Sequence, residues 1–386
     1  MKKNVFKSFL TMCALAATFA ACSNENDVPN VEKNTRSVFM KMDLPVVKPM
    51  TKAVEATASG TTATATDLYL YFHDGTNILK HVAITTASSP SIAQLAAGAQ
   101  IADVPTAATK VTIYGNKPTG VSLPTAGTLA SLKSTEIEIV SQSTIANVLL
   151  KSDDVTLTDY TGAGAPGWAS GIQSGDKYAE VEMIPAVARI EVEGLQVKTP
   201  TKVATFTLKG IYLNNFYEKF KLDGDVASLS LTNYGVTPTA YALGQGLYTV
   251  GNNGKLFEEP NTPASGATLE VTAGASNFWA YQVAPNPATA ANDQLQLIFK
   301  VDNLTATPSS GITFPTGEQF LTVRGFVDKT TNLPVKIEAG KIYTIEKGDF
   351  TFDETNLTTV PVVTAVGVWL KVTVKAWTVV AVKPNL

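Results

Sequence analysis

The sequence predicts an all-β protein of two β-sandwich domains in tandem, with few and short helices. Hydrophobic residues make up 45% of the 386 residues, which is enough for buried cores, whereas charged residues make up only 16%. Alternation of apolar and polar residues with a period of two recurs along the chain, and Gly, Pro and Asn separate the alternating stretches. Many short strands punctuated in this way are typical of sandwiches.

The first 21 residues predict a cleaved signal peptide. They have a basic start, an apolar run too short to span a bilayer, and small residues at the end. Residues 19–22, FAAC, resemble the lipobox of bacterial lipoproteins, although Phe19 stands where leucine is usual. That resemblance implies cleavage before Cys22 and lipidation of this cysteine. The alternative is an ordinary signal peptide followed by a chance cysteine.

Charge and cysteine content limit the partners and the chemistry. The formal net charge is −3, and loss of the leader with Lys2, Lys3 and Lys7 would change it to −6. No run of Lys or Arg is present, so a nucleic-acid partner is not expected. The sequence has only two cysteines, Cys13 in the leader and Cys22, so the mature chain is expected to have no internal disulfide.

The first predicted strand, SVFMKMDL, has an apolar and a charged face. Its apolar face consists of Val38, Met40, Met42 and Leu44. We expect this strand at the edge of a sheet. An Ala- and Thr-rich linker follows it, and the basic residue Lys52 lies directly before that linker.

Further strands follow in two series. The first series is DLYLYFHDG, KVTIYGN, EIEIVSQ, and AEVEMIPAVARIEVEGLQV, which divides at Pro185. The second comprises VATFTLKGIYLNNF, ATLEVTAG, QLQLIFKVD, EQFLTVRGFVD, VKIEAGKIYTI and VWLKVTVKAWTVVAV. Helices are predicted only in SIAQLAAGAQIA and TIANVLLKS. The boundary between the two domains is placed near residues 198–200, which gives domains of 53–198 and 199–386.

The last strand is unusual because its alternation breaks near Trp377. Leu370, Val372 and Val374 alternate with polar residues, whereas Val379, Val380 and Val382 make both faces apolar. A terminal strand of this kind needs cover on both sides. It is either a central strand of its own domain or an arm that enters another subunit.

Four features together resemble the fimbrillins of Bacteroidetes, the subunits of protease-dependent (type V) pili. They are the lipoprotein leader with its polar tether SNEND, the early strand followed by TKA, the segment IPAVARIEVEG, and the terminal VTVKAWTVVAVKP. The resemblance implies two transthyretin-like sandwiches and a precursor anchored by lipid in the outer membrane. It also implies that a trypsin-like protease removes the first strand, and that a C-terminal strand of a neighbouring subunit fills the vacated groove.

For this sequence, the resemblance implies that residues 22–52 form a removable segment and that the protease cuts between Lys52 and Ala53. The implied donor strand contains Val372, Val374, Trp377, Val379, Val380 and Val382. A head-to-tail contact of this kind does not close, so it builds filaments. In the alternative interpretation Lys52 is an ordinary loop lysine and the strand is permanent. Arg36 offers a second cut, which would remove the tether and keep the strand.

No pattern in the sequence indicates catalysis, a cofactor or a metal. The only histidines, His73 and His81, lack companion ligands and are interpreted as surface or turn residues rather than as zinc ligands. Trp168, in the Gly-rich TGAGAPGWASG, could stack on a sugar, but a loop-packing role is favoured. Asp153 and Asp154 are interpreted as a solvated turn rather than as a calcium site.

The predicted function is therefore a structural subunit of a surface pilus that supports adhesion. Its expected partners are other pilin subunits in a homopolymer or mixed fibre, the processing protease, and a host or bacterial surface receptor. The alternative is a non-polymerising surface lipoprotein that binds a glycan or a host protein. Whether the subunit forms the shaft or the anchor stays open, because anchors of the family keep the lipid and escape cleavage.

Overall fold

The computed structural model of the chain describes residues 34–43, 62–142, 148–199, 201–241, 270–272, 279–290, 293–376 and 378–381. Two compact units are distinguished, Met1–Thr35 and Arg36–Leu386, and apart from Asn34 and Thr35 every described residue lies in the second. Strands dominate these residues, so the prediction of an all-β protein with few helices is confirmed. The described α-helices are α1 (Ile92–Ala97) and α2 (Leu129–Lys133).

Fifteen strands lie before residue 199 in the described part of the chain. They are β1 (Thr35–Asp43), β2 (Thr62–Ala65), β3 (Asp67–His73), β4 (Asn77–Thr85), β5 (Ala99–Pro105), β6 (Lys110–Gly115), β7 (Gly127–Thr128), β8 (Glu136–Glu138), β9 (Leu150–Lys151), β10 (Val155–Thr156), β11 (Thr158–Asp159), β12 (Lys177–Glu182), β13 (Ile184–Pro185), β14 (Ala188–Val192) and β15 (Gly194–Val197). A 3-10 turn covers Ile139–Gln142.

The strands described after residue 199 include the longest ones. They are β16 (Val203–Asn214), β17 (Phe216–Tyr217), β18 (Lys219–Lys221), β19 (Leu231–Thr232), β20 (Glu270–Thr272), β21 (Trp279–Val283), β22 (Gln296–Ala306), β23 (Gln319–Asp328), β24 (Lys341–Ile345), β25 (Thr351–Phe352), β26 (Leu357–Thr358), β27 (Val368–Ala376) and β28 (Thr378–Ala381). Short 3-10 turns cover Pro238–Tyr241, Lys347–Asp349 and Glu354–Asn356.

The first strand, β1, is an interior strand and not an edge strand. It belongs to a four-stranded sheet with the order β11-β12-β1-β5. It runs parallel to β12, with Val38 opposite Lys177 and Asp43 opposite Glu182. The expectation of an edge position was wrong because side-chain alternation reports which face is buried, whereas the number of neighbours depends on backbone hydrogen bonds that leave no mark in the sequence.

A second sheet faces this one across a shared core. Its strand order is β13-β9-β6-β3-β4-β7, and β10 also pairs with β6. The core between the two sheets takes apolar side chains from β3 and β6, among them Leu68, Leu70, Phe72, Val111 and Ile113. Helix α1 adds Ile92 and Leu95. This arrangement is a β-sandwich, as the sequence predicts.

The predicted helices are shorter than their sequence patterns. In SIAQLAAGAQIA, α1 begins at a capping box formed by Ser91 and Gln94, and the chain leaves the helix at Gly98 and enters β5. In TIANVLLKS, the described residues from Val148 onward are not helical and include β9. Residues 143–147 lie outside the described residues.

The second half of the chain is built on an eight-stranded sheet. The order is β16-β22-β23-β27-β24-β14-β21, with β26 paired to β23. A three-stranded sheet, β20-β15-β25, contributes to the same apolar core. Phe299 meets Phe350 edge-on at a ring-centroid distance of 4.8 Å, and Phe206 meets Phe352 at 5.2 Å. These aromatic pairs stabilise the contact beyond the area that they bury.

One apolar cluster extends across both halves of the chain. It contains Tyr71, Tyr114 and Leu132 from the first half together with Phe299 and Val372 from the second. Strand β8 also pairs with β18. The apolar core is therefore continuous across residue 198, and the division into domains 53–198 and 199–386 stays a prediction.

The burial of β1 predicts unequal effects of two neighbouring substitutions. Met40→Ala should lower the free energy of unfolding by about 2–5 kcal/mol, because Met40 is fully buried in the core. Lys41→Ala is the matched control on the opposite face, where the side chain is 29% exposed, and should change stability by less than about 1 kcal/mol. Urea unfolding of the uncut chain measures both. Equal effects would contradict the placement of β1.

Candidate functional site: the first strand and its groove

The inward face of β1 is fully enclosed by the sandwich. Val38 and Met40 are 0% exposed and Met42 is 2% exposed. The surrounding cluster includes Ile101 of β5 and Val181 of β12. Burial of three such side chains stabilises the strand by roughly 5–9 kcal/mol, as an upper estimate. Leu44, the fourth residue of the predicted apolar face, lies outside the described residues.

The start of β1 is held by charged and polar contacts that the sequence analysis did not identify. Arg36 Nη1 lies 3.5 Å from Asp159 Oδ1, and Arg36 Nη2 donates to the carbonyl of Thr106. Lys177 Nζ contacts the same Asp159 oxygen at 3.0 Å. Since the Asp159 side chain is 66% exposed, these ion pairs contribute to the position of the strand more than to its stability.

Arg36 is poorly placed as a proteolytic site. It lies inside β1, and its side chain is only 19% exposed. A protease needs several residues of mobile extended chain, which an interior strand does not offer. The remaining predicted processing residues, Cys22, Lys52 and Ala53, lie outside the described residues.

The C-terminal region differs from the predicted donor strand. Val372 is fully buried in the core of its own half, and β27 is bonded on both sides, to β23 in parallel and to β24 in antiparallel orientation. Val374 lies in the same strand, opposite Tyr343. Of the two options that the sequence left open, β27 is a central strand of its own domain. Alternation alone could not locate the end of that strand.

The segment after β27 leaves the eight-stranded sheet. Strand β28 contains Val379 and Val380 and pairs in parallel with β2, with Thr378 opposite Thr62 and Ala381 opposite Ala65. Trp377 and Val382 lie outside the described residues. The residues left for the predicted donor strand therefore begin after Ala376.

His73 is buried and hydrogen-bonded, which corrects its interpretation as a surface or turn residue. Its Nδ1 accepts from the backbone N–H of Gly75 at 3.1 Å, so the neutral ring carries its proton on Nε2, which is 3.1 Å from Thr112 Oγ1. Thr112 in turn donates to Asp154 at 2.6 Å, and Lys133 pairs with Asp154 at 2.8 Å. Asp154 is therefore an ordered partner rather than part of a solvated turn.

This network resembles a catalytic arrangement only in composition. The His73 side chain is fully buried, so substrate has no access to it. Among the described residues no group of three or more His, Cys, Asp and Glu side chains could hold a metal ion. His81 instead stacks against Tyr69, with ring centroids 6.0 Å apart.

In the same described part of the chain, no helix has the length and apolar character needed to cross a membrane.

Trp168 makes the loop-packing contacts that the sequence favoured. Its indole N–H donates to Glu180, and its ring meets Tyr178 edge-on at a centroid distance of 6.4 Å. On the other side it lies against Gly98, where an added Cβ would come within 2.7 Å of the Trp168 carbonyl oxygen. A side chain at position 98 would therefore displace this loop.

Solved structures with a similar fold are fimbrial and adhesion proteins. A fimbrilin from Porphyromonas gingivalis is 14% identical with a TM-score of 0.50, and the match covers 90% of this chain and 99% of that one. A putative cell adhesion protein from Parabacteroides distasonis is 14% identical with a TM-score of 0.53, covering 89% and 98%. No protein-family model and no curated protein sequence matches the chain. The resemblance to fimbrillins is thus confirmed at the level of the fold.

The buried histidine predicts a loss of stability at mildly acidic pH. Burial lowers the pKa of His73 below its ordinary value of 6.5, although the Asp154 carboxylate opposes this shift. The neutral ring is therefore favoured in the folded state. As the pH falls below about 6.5, the unfolded chain binds a proton that the folded chain does not, and stability decreases by up to about 1.4 kcal/mol per pH unit.

Urea unfolding between pH 5 and pH 8 measures this effect in the wild type and in His73→Gln. The variant should show a shallower decrease, because glutamine does not titrate. His81→Gln is the control for the other histidine, whose pKa burial also lowers. Parallel profiles of the wild type and His73→Gln would rule out His73 as the source of the pH dependence.

Proposed function

We propose that the protein is a structural subunit of a surface pilus, assembled by exchange of its first strand. In this proposal the precursor is exported, lipidated at Cys22 and anchored in the outer membrane. A trypsin-like protease then cuts after Lys52, which separates residues 22–52 from the chain that begins at Ala53. The released strand is replaced by the C-terminal segment of a neighbouring subunit, and repetition of this step builds a fibre that supports adhesion.

The interior position of β1 carries the proposal. The strand ends at Asp43 and the next strand, β2, begins at Thr62, so the cut after Lys52 would leave β1 attached by non-covalent contacts alone. Its departure would expose backbone groups of both β12 and β5 and would empty the pockets of Val38, Met40 and Met42. Such a groove recruits another extended segment through backbone hydrogen bonds and side-chain pockets.

The donor segment in this proposal is limited to the residues after β27. Residues 377–386 contain Val379, Val380 and Val382, whose apolar side chains alternate onto both faces of an extended chain. Since β27 is bonded between β23 and β24, removal of residues 377–386 leaves the eight-stranded sheet complete.

One observation favours the alternative of a non-polymerising surface lipoprotein. Strand β28 is paired with β2 of the same chain, so the segment is occupied and not free. In the pilus proposal this four-residue pairing opens before assembly. In the alternative it is permanent, and the protein binds a glycan or a host protein as a monomer.

Lys52→Gln should block maturation without affecting the fold, because the site lies in the segment between β1 and β2. Treated with a trypsin-like protease, the variant should remain a monomer of unchanged melting temperature, whereas the wild type should form a ladder of detergent-resistant oligomers. Lys48→Gln, a nearby lysine before the same boundary, is the matched control and should polymerise normally. Normal polymerisation of Lys52→Gln would contradict the proposed cut.

Deletion of residues 377–386 tests the donor segment. Before cleavage the truncated chain should keep the melting temperature of the uncut full-length chain, since β27 and its partners are intact, and after cleavage it should not elongate a fibre. Mixed with intact subunits, it should end growth and shorten the filaments. Deletion of residues 383–386 alone is the control and should have a small effect. Fibres of normal length from the larger truncation would refute the donor assignment.

A further inference from the structure

The outward face of β1 is covered at one residue, Phe39. Phe39 points away from the core that holds Val38 and Met40, yet it is only 6% exposed. The register places it beside Tyr178 of β12, another outward-facing residue. An apolar side chain that is buried on the outer face needs a second layer of protein over it.

Trp168 belongs to this second layer and bridges the two strands that flank β1. On one side it contacts Tyr178 and Glu180 of β12. On the other it lies against Gly98, directly before β5 begins at Ala99. Because β1 lies between β12 and β5, a residue with both contacts crosses over β1.

Residues 160–176 carry Trp168 as a strap closed at its base. Tyr160 N donates to Asp176 O at 2.9 Å, and Gly175 N donates to Tyr160 O at 3.1 Å. Ala169, next to the tryptophan, is 3% exposed, while most residues of the strap are exposed. Gly171 and Gly175 have positive φ, which lets the chain reverse direction without strain.

We propose that this strap is a gate over the first-strand groove, and that the groove accepts a segment with one apolar side chain at the inward position of Met40 and another at the outward position of Phe39. The inference rests on the proposed function for its occupant, which in the fibre is residues 377–386 of a second copy. In the uncut chain the occupant is β1, with Met40 beneath the strand and Phe39 under the strap. In the fibre, Val379 and Val380 take these two opposite sides.

The requirement concerns the outward position of Phe39, because the next outward residue of β1, Lys41, is charged and 29% exposed. An incoming strand with a charge at the position of Phe39, which is 6% exposed, would strip that charge of most of its hydration. The adjacent valines of the C-terminal segment avoid this cost, since successive residues of a strand point to opposite faces. The strap therefore selects the segment that can enter, and it must open for β1 to leave.

Hydrogen exchange on the uncut chain tests the strap without any fibre. In Trp168→Ala, amides of residues 38–43 should exchange faster by about tenfold, while β23 and β27 stay unchanged. Trp168→Phe should have a smaller effect. Trp369→Ala, a half-buried tryptophan of β27 packed against Gly325, is the matched control and should leave β1 protected. Unchanged exchange in β1, or a uniform increase in every strand, overturns the proposal.

A peptide of residues 376–386 tests the two-sided groove on the chain cut after Lys52. The variants Val379→Asp and Val380→Asp should each reduce its binding by at least about tenfold, since each places a charge in a covered pocket. Trp168→Ala in the chain should speed both association and dissociation. If one aspartate variant binds as tightly as the wild-type peptide, the groove is one-sided and the proposal is wrong. If no peptide binds, strand exchange itself fails, and hydrogen exchange still decides whether the strap covers β1.

Discussion

The first sandwich depends on the pairing of β1 with two neighbours. An interior strand satisfies backbone donors and acceptors on both of its sides, and here those of β12 and β5 rely on a segment that ends at Asp43, well before β2 begins. Side-chain burial reinforces this dependence, because Met40 is buried in the core and Phe39 is buried on the opposite face. Another strand can take this position. If it stays empty, backbone donors and acceptors of β12 and β5 lose their partners, which costs free energy.

The second constraint is the continuity of the apolar core between the two halves. Tyr71 and Tyr114 project from the outer face of the first sandwich into the cluster that contains Phe299 and Val372. Strand pairing between β8 and β18 adds backbone hydrogen bonds, and Lys219 lies 3.1 Å from Glu136 across that pair. The two halves of the chain therefore share packed side chains as well as backbone hydrogen bonds.

The sequence predicted the class of fold and the inward face of β1 because both follow from a period of two. Val38, Met40 and Met42 are buried as their alternation requires. What it missed depends on contacts between distant segments. The two neighbours of β1, the burial of Phe39 beside Tyr178, and the enclosure of His73 by Thr112 and Asp154 each join residues far apart in the chain. The local sequence pattern does not show whether β27 belongs to the core of its own chain or is an arm that enters another subunit.

The placement of methionine has a consequence for resistance to oxidants. The sequence holds six methionines and two cysteines, and five of these methionines and both cysteines precede Ala53. A chain that begins at Ala53 would keep a single sulfur atom, in Met183, which is fully buried. Sulfoxide formation makes a core methionine polar and needs access to its sulfur. Loss of the first strand would thus leave a chain whose one remaining sulfur is buried away from peroxide.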